Sequence, residues 1–515
     1  MKLRYGLALI ALALSGGSVL LARVTDYVDP RIGSEGLGRV FIGPSHPYGM
    51  VKPSPDCTPD PNSGWLPMPE RVDGFSQVHV SGTGGGPKYG NILIMPFASE
   101  EGLTSVTHYD TRLSEEIALG YYATTLSESK IGVEVTTAPR ASVYRISYPS
   151  ESEVRGLAVD AGFFLGETPV PDSREAQQLV GSQIEIVGDR AVRGYSRIRG
   201  GWNNGRAYTV YFYAEASEPF VHTSTWRDDQ VTDSRAQVDF GTKTGAIVTF
   251  PYATREVTLR IGISFISEMK AQANCAADTY GKNFDQVRGE LVDAWEKILD
   301  RIELSDRATD AQKRMFYTAL YHTMLMPVDR TGECPLWNDP VPYYDDYYAI
   351  WDTYRTSTPL ITLIDPDRQR DIVNSLLVIA KRDGYMPDAR SGNANGRTQG
   401  GSNAEIMIAD AMAKGLTGID YEEGLRAMIR DAEVSPGGDH EAHGRGGLEE
   451  YNRLGYIPYG IARAGNRTVE YSFDDWAIAR VAEQLGHKEI ADRYYRQAGN
   501  WKNLWRADYE HDGSR

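Results

Sequence analysis

The hydrophobic pattern of this 515-residue chain changes period once, near Ala271, and that change constrains the fold more than any single motif. From about Val24 to Met269 apolar residues alternate with polar ones. The stretches "GVEVTTAPRASVYRISYP" (132–149), "RAYTVYFYAEA" (206–216) and "GAIVTFPYATREVTLRIGISFIS" (245–267) are rich in β-branched and aromatic residues. Gly, Pro, Asn and Asp punctuate them at short intervals. Side chains two apart share one face of a strand, so the pattern predicts an antiparallel β-sandwich. Strand patterns do not alternate with helical ones here, which excludes a doubly wound nucleotide-binding fold.

After Ala271 the spacing lengthens to three and four. Phe284, Val287, Leu291, Trp295 and Leu299 line one face of a helix within "NFDQVRGELVDAWEKILDRI" (283–302), which reads as a linker between two halves. Further helices are predicted over 310–326, 367–384 with Gly384 at C′, 403–415, 421–433, 472–486 and 488–505. Helices joined by loops of uneven length suit an α/α toroid around a cleft better than a regular solenoid. The chain stops at "YEHDGSR", soon after a strong helix, so an incomplete (α/α)6 toroid is expected. The expected class is α+β multidomain: a signal peptide over 1–22, the sandwich over 23–270, a linker-helix region over 271–305 and a partial toroid over 306–515.

The signal peptide is read from Lys2 and Arg4, the apolar run Leu7 to Leu14 and the small residues that follow, with cleavage near Ala22. Export to the periplasm or the outside follows from it. No later segment is apolar enough to span a bilayer. The net charge of −16 repels phosphate backbones and excludes nucleic acid as a partner. Cys57, Cys275 and Cys334 are odd in number and far apart, so no fully paired disulfide framework is expected. The sequence is silent on oligomeric state.

Four stretches carry candidate chemistry. In "GFSQVHVSGTGGGPKYGNILIMP" (74–96) a glycine turn follows a strand, and Pro87 and another strand follow the turn. A phosphate loop needs a helix and a Lys-Ser/Thr pair there, so nucleotide binding is rejected. The alternatives are a tight sandwich loop or one that reaches into a cleft, with His79, Ser81 and Gly82 as its contacts. In "AIWDTYRTSTPLITLIDP" (349–366), Asp352 and Arg355 interrupt an apolar run beside Trp351, Tyr347, Tyr348 and Tyr354. A local ion pair is one account; a carboxylate beside an aromatic platform, which is how proteins grip sugars, is the other. "GYMPDARSGNANGRTQGGSNAEIMIADAMAKG" (384–415) is a polar loop before a helix, with Asp388 and Glu405 as available carboxylates and Asn403 as a natural N-cap. In "EEYNRLGYIPYGIARAGNRTVEYSFDDWAIARVAEQLG" (449–486), Glu470, Asp474 and Asp475 read as first-turn acids, with room for one of them to face the cleft.

Taken in order, "YVDPRIGSEG" (27–36), "PSHPYGMVKPSPD" (44–56), "GFSQVHVSGTG" (74–84), "FYTALYHTMLMP" (316–327), "WDTYRT" (351–356) and "VEYSFDDWAIA" (469–479) resemble glycoside hydrolase family 92, the calcium-dependent exo-acting α-mannosidases. The resemblance covers nearly all of the mature chain. It implies a β-sandwich packed on an (α/α)6 toroid, inversion at terminal α-mannose, α-mannoside glycans as substrates and calcium as cofactor. It also implies that Asp352 holds hydroxyls of the terminal mannose and that the "HVSGTG" loop, with His79, Ser81 and Gly82, enters the active site; Arg355 is expected to orient Asp352, and Trp351, Asp388 and Glu405 are the further candidate sugar contacts. The family's acid, base and main calcium ligands would fall after Arg515. No residue is therefore assigned as catalytic or metal-binding, and the 515-residue chain is expected to be inactive by itself. A non-catalytic sugar-binding protein on the same scaffold is the alternative. A disaccharide phosphorylase would need a basic anion site, which the sequence does not offer.

Overall fold

The computed structural model describes residues 23–510 except 37, 58–62, 83–86, 168–174, 348, 397–398, 438–442 and 507. The predicted signal peptide and the centre of the glycine turn thus lie outside the described residues, as does Tyr348.

The chain is α+β, with a sandwich in front and helices behind. Among the described residues one sheet has seven strands and runs from Ser54–Asp56 at one edge to Gln230–Thr232 at the other. The second has nine and runs from Ala236–Asp239 to Arg112–Ala118. Strand pairing is antiparallel in both, with Ile94 opposite Val159 in the first and Val133 opposite Ile146 in the second. Phe75, Ile94, Val159 and Val248 of the first sheet pack against Val135, Ile146, Val210 and Ile261 of the second in one buried cluster. This is the alternation of the sequence turned into a core.

Two of the alternating stretches are longer than any one strand. Residues 132–149 fold as the hairpin Gly132–Thr137 and Ala141–Ser147. Residues 245–267 supply Thr244–Thr249 to the seven-stranded sheet and Glu256–Ser264 to the nine-stranded one. The period breaks at the crossing: Ala246, Val248 and Phe250 face the sandwich core before Pro251, and Val257, Leu259 and Ile261 after it.

A helix that the sequence reading missed, Glu268–Thr279, follows at once, capped by the Ser267 hydroxyl accepting from Lys270 N at 3.2 Å. It lies on strand Glu256–Ser264 at Gly262, where a Cβ would come within 2.6 Å of Cys275 Cβ. The predicted linker helix is Phe284–Leu299, opened by a reciprocal cap between Asn283 and Gln286. Its Trp295 donates to Ser45 O at 2.7 Å, tying it to the front of the chain. Asp310–His322, Pro366–Asp383, Ala404–Ala413, Tyr421–Glu433 and Lys488–Gln497 appear where the 3.6 period places them. Gly384 closes Pro366–Asp383 at φ +91°, a conformation that disfavours side chains with a Cβ. The helix expected from 472 begins earlier, as Ala464–Leu485. Trp295, Tyr321, Leu376, Met407 and Ile478 share the helical core. Cys57, Cys275 and Cys334 are buried free thiols. No helix among the described residues is long and apolar enough to cross a membrane.

A buried polar network joins the halves. Tyr89, just beyond the glycine turn, donates to Asp346 Oδ1 at 2.6 Å, and Arg330 bridges Asp345 at 2.7 Å and Asp346 at 2.6 Å. Arg390 Nε pairs with Asp345 at 3.1 Å, and Ser391 Oγ donates to Asp346 at 2.7 Å. Asn203 of the sandwich donates to the carbonyls of Ser391 and Ala394. The Arg330, Arg390 and Asp345 side chains have no exposed surface, so each charge depends wholly on its partners. The network fixes the short hairpin Arg390–Ser391 and Ala394–Asn395, and with it the loop that carries Asp388.

Candidate functional site

The site is built from three pieces of the helical half: the turn Ile350–Thr353, the loop 384–403 and the helix Ala464–Leu485. Asp352 is exposed on that turn and accepts no hydrogen bond among the described residues. Partial burial raises its carboxyl above the usual range, and nearby Arg355 opposes the shift. Trp351, beside it, is partly exposed.

Arg355 does not pair with Asp352. Its Nη2 donates to Glu470 Oε1 at 2.7 Å, and its guanidinium lies 4.6 Å from the Tyr354 ring and 5.5 Å from the Trp351 ring. The expected local pair three residues apart gives way to a partner on another helix, because Glu470 is 10 % exposed and its charge needs a counterion. Tyr354 OH and Asn403 Nδ2 donate to the other Glu470 oxygen at 3.1 and 3.2 Å.

The acids of the 449–486 stretch are therefore not first-turn residues. Helix Ala464–Leu485 starts six residues before Glu470, and Glu470 and Asp474, one turn apart, share its buried face. Asp474 accepts from Ser402 N at 3.0 Å and Asn403 Nδ2 at 2.9 Å; burial lifts it to about 7. Asn403 stands at the N-cap position of Ala404–Ala413 but makes no capping bond; its amide joins Glu470 to Asp474 instead. Arg445, which the sequence reading did not single out, pairs with Asp475 at 2.7 Å and donates to Ser402 Oγ at 2.9 Å.

The other predicted contacts fall in different places. Asp388 is buried, and its carboxylate accepts from Trp351 N at 3.2 Å and from Gln399 N. Burial, with Asp352 adding to it, pushes Asp388 up to about 7. Glu405 is wholly buried, its nearest cation Arg445 at 3.6 Å, and burial with the Asp474 charge raises it far above the carboxylate range. It has no surface for a sugar, which corrects its assignment as a contact. His79 is likewise a core residue of the sandwich. Nδ1 meets Lys52 O at 2.6 Å, Nε2 meets Asp56 Oδ1 at 2.9 Å, and neither side chain of the His79–Asp56 pair is exposed. Ser81 is buried too, its hydroxyl accepting from Phe41 N at 3.1 Å. Gly82 is exposed at φ +62°, at the start of the turn that leaves the described residues. A histidine or serine beside a glycine turn reads the same in sequence whether it faces a cleft or a sheet. In space both are enclosed, His79 by Asp56 and Lys52 and Ser81 by Phe41.

The resemblance implies calcium. Among the described residues no three His, Cys, Asp or Glu side chains converge to hold a metal ion. Where carboxylates are densest, around Glu405, Asp474 and Asp475, the Arg445 guanidinium supplies the positive charge. The described residues do not fit a calcium site.

A sandwich anchored through Tyr89 to a helical half thus presents the exposed Asp352 carboxylate beside the partly exposed Trp351 indole. The sequence profile of the glycosyl hydrolase family 92 catalytic domain matches residues 270–513, and that of the family's N-terminal domain matches residues 27–264. The chain belongs to glycosyl hydrolase family 92. Among family 92 structures it is similar to an α-mannosidase from Bacteroides thetaiotaomicron in complex with mannoimidazole, at 25 % identity and a TM-score of 0.84, over 95 % of this chain and 65 % of that one. An inverting family 92 mannosidase from the same organism matches at 27 % identity and 0.81, over 94 % and 65 %. A protein described as an uncharacterized secreted glycosidase, from Arthroderma benhamiae, is 31 % identical over 94 % of this chain and 63 % of its own length. The chain thus spans a little under two thirds of the relatives it matches.

Proposed function

We propose that this family 92 glycosidase chain supplies the face that grips a terminal α-mannose in an exported, inverting, exo-acting α-mannosidase. One observation carries the reading: Asp352 is left exposed and, among the described residues, without a hydrogen-bond donor beside Trp351, while Arg355 is turned away onto Glu470. A free carboxylate accepts hydrogen bonds from sugar hydroxyls, and an indole covers the C–H face of the ring. Arg355 orients the Tyr354–Trp351 platform through Glu470 rather than binding Asp352 directly.

Inversion needs an acid and a base about 6.5–9.5 Å apart with water between them. We assign both, and the calcium ligands, to sequence outside residues 1–515. Aryl α-mannoside hydrolysis tests this. The 515-residue chain is expected to bind methyl α-mannoside and to release no aryl alcohol, and Asp352→Ala is expected to abolish binding. Turnover by the 515-residue chain overturns the placement of the acid and base. Undiminished binding by Asp352→Ala overturns the sugar assignment.

A further inference from the structure

We infer that Asp388 is a positioning residue: from the neighbouring loop it caps the turn Ile350–Thr353 and so holds Trp351 and Asp352 in the orientation that meets the sugar. The inference rests on the reading of Asp352 as a sugar ligand.

The turn cannot cap itself. Ala349 occupies its N-cap position and has no side-chain acceptor. The first amides of a helical turn lack partners within the turn and need acceptors from elsewhere. Asp388 supplies them twice: its backbone carbonyl accepts from Ile350 N at 2.7 Å, and its carboxylate Oδ1 accepts from Trp351 N at 3.2 Å. The other oxygen, Oδ2, accepts from Gln399 N on the far arm of the same loop. One buried carboxylate therefore binds two backbone segments, one carrying Trp351 and Asp352, the other running into Gly400 against the Trp351 indole. Its own place is fixed two and three residues later, where Arg390 pairs with Asp345 and Ser391 bonds Asp346. Asp388 is too enclosed to meet a hydroxyl, and its oxygens already hold backbone amides. A direct sugar contact, as the sequence suggested, is replaced by an indirect one.

Hydrogen–deuterium exchange and methyl α-mannoside calorimetry on the 515-residue chain test this, with Asp388→Ala, Asp388→Asn and unaltered protein side by side. In Asp388→Ala the amides of Trp351 and Gln399 are expected to exchange at least tenfold faster, with no change in sandwich strands such as Gly156–Asp160. Mannoside affinity is expected to fall at least tenfold although Trp351 and Asp352 are intact. Asp388→Asn keeps one acceptor oxygen, so both readouts are expected between the two extremes; it also serves if Asp388→Ala does not fold. Unchanged exchange at Trp351 overturns the cap. Faster exchange with unchanged affinity overturns the positioning role. If the unaltered chain binds no mannoside while exchange responds as expected, the sugar reading fails and the cap stands.

Discussion

Arg355 and Glu470 are 115 residues apart in sequence and 2.7 Å apart in space. The pair joins the turn that exposes Asp352 to the long helix behind it. Arg355 is 45 % exposed, so the pair contributes little to stability, about 0–1 kcal/mol after solvent screening. Its effect is on orientation. Glu470→Gln is expected to shift the urea midpoint only slightly and to weaken methyl α-mannoside about tenfold, a change of about 1.4 kcal/mol, because the new amide NH2 opposes the Asn403 donor. Calorimetry and urea titration on one preparation check both halves of the statement.

Arg330 carries more. Replacing it with Met leaves buried Asp345 with Arg390 as its cation and Asp346 with only the neutral donors Tyr89 and Ser391. Removing one partner of a buried pair costs about 3–5 kcal/mol. Arg330→Met is expected to lower the urea midpoint accordingly, and Tyr89→Phe to lower it by less, since one hydroxyl is lost rather than a charge.

Stability is expected to fall as pH rises from about 4 to about 7. Asp388 and Asp474 each sit near 7 in the folded chain against an ordinary value of 3.8, so across that window the native state holds protons that the unfolded chain has released. The slope is at most about 1.4 kcal/mol per pH unit for each group. Asp474→Asn keeps an oxygen for Ser402 N and is expected to flatten the decline; urea unfolding at pH 5 and pH 7 reads it.

Gly400 leaves no room for a side chain. A Cβ there would lie 2.6 Å from Trp351 Nε1 and 2.6 Å from Asn466 Nδ2. Gly400→Ala is expected to cost about 1–3 kcal/mol through overpacking and to displace the indole. Near-ultraviolet circular dichroism and loss of mannoside affinity report that displacement.

Glu405 separates burial from function. Wholly enclosed behind the site, it is expected to tolerate Gln with less than a twofold change in mannoside affinity, whatever happens to thermal stability. A larger loss would return Glu405 to the sugar contacts.

The two-period sequence made the architecture legible because one-sided burial imposes its spacing on every strand and helix. It reads as one stretch across Thr244–Thr249 and Glu256–Ser264, although the core positions switch across Pro251 from Ala246, Val248 and Phe250 to Val257, Leu259 and Ile261. Asp352 stood out because a charge inside an apolar run needs a reason, and the structure leaves it exposed beside Trp351. The partner of Arg355 did not, because nothing local distinguishes Glu470 from a helix-capping acid. Asn403 misled for a related reason: the residue type that caps helices also bridges carboxylates, and only the neighbouring helix decides which it does. His79 looked like a cleft residue beside a glycine turn, yet Asp56 and Lys52, which occupy its ring, lie more than twenty residues upstream.

The clamp around Tyr89 and Arg330 also bears on how such a chain can diversify. The loop that steadies Asp388 borrows its shape from Tyr89, 302 residues before Ser391, and from Asn203. A recombination that exchanged the front half for a foreign one would therefore loosen the loop that carries Asp388, even with every residue of that loop retained. The two halves have to be inherited as a single unit.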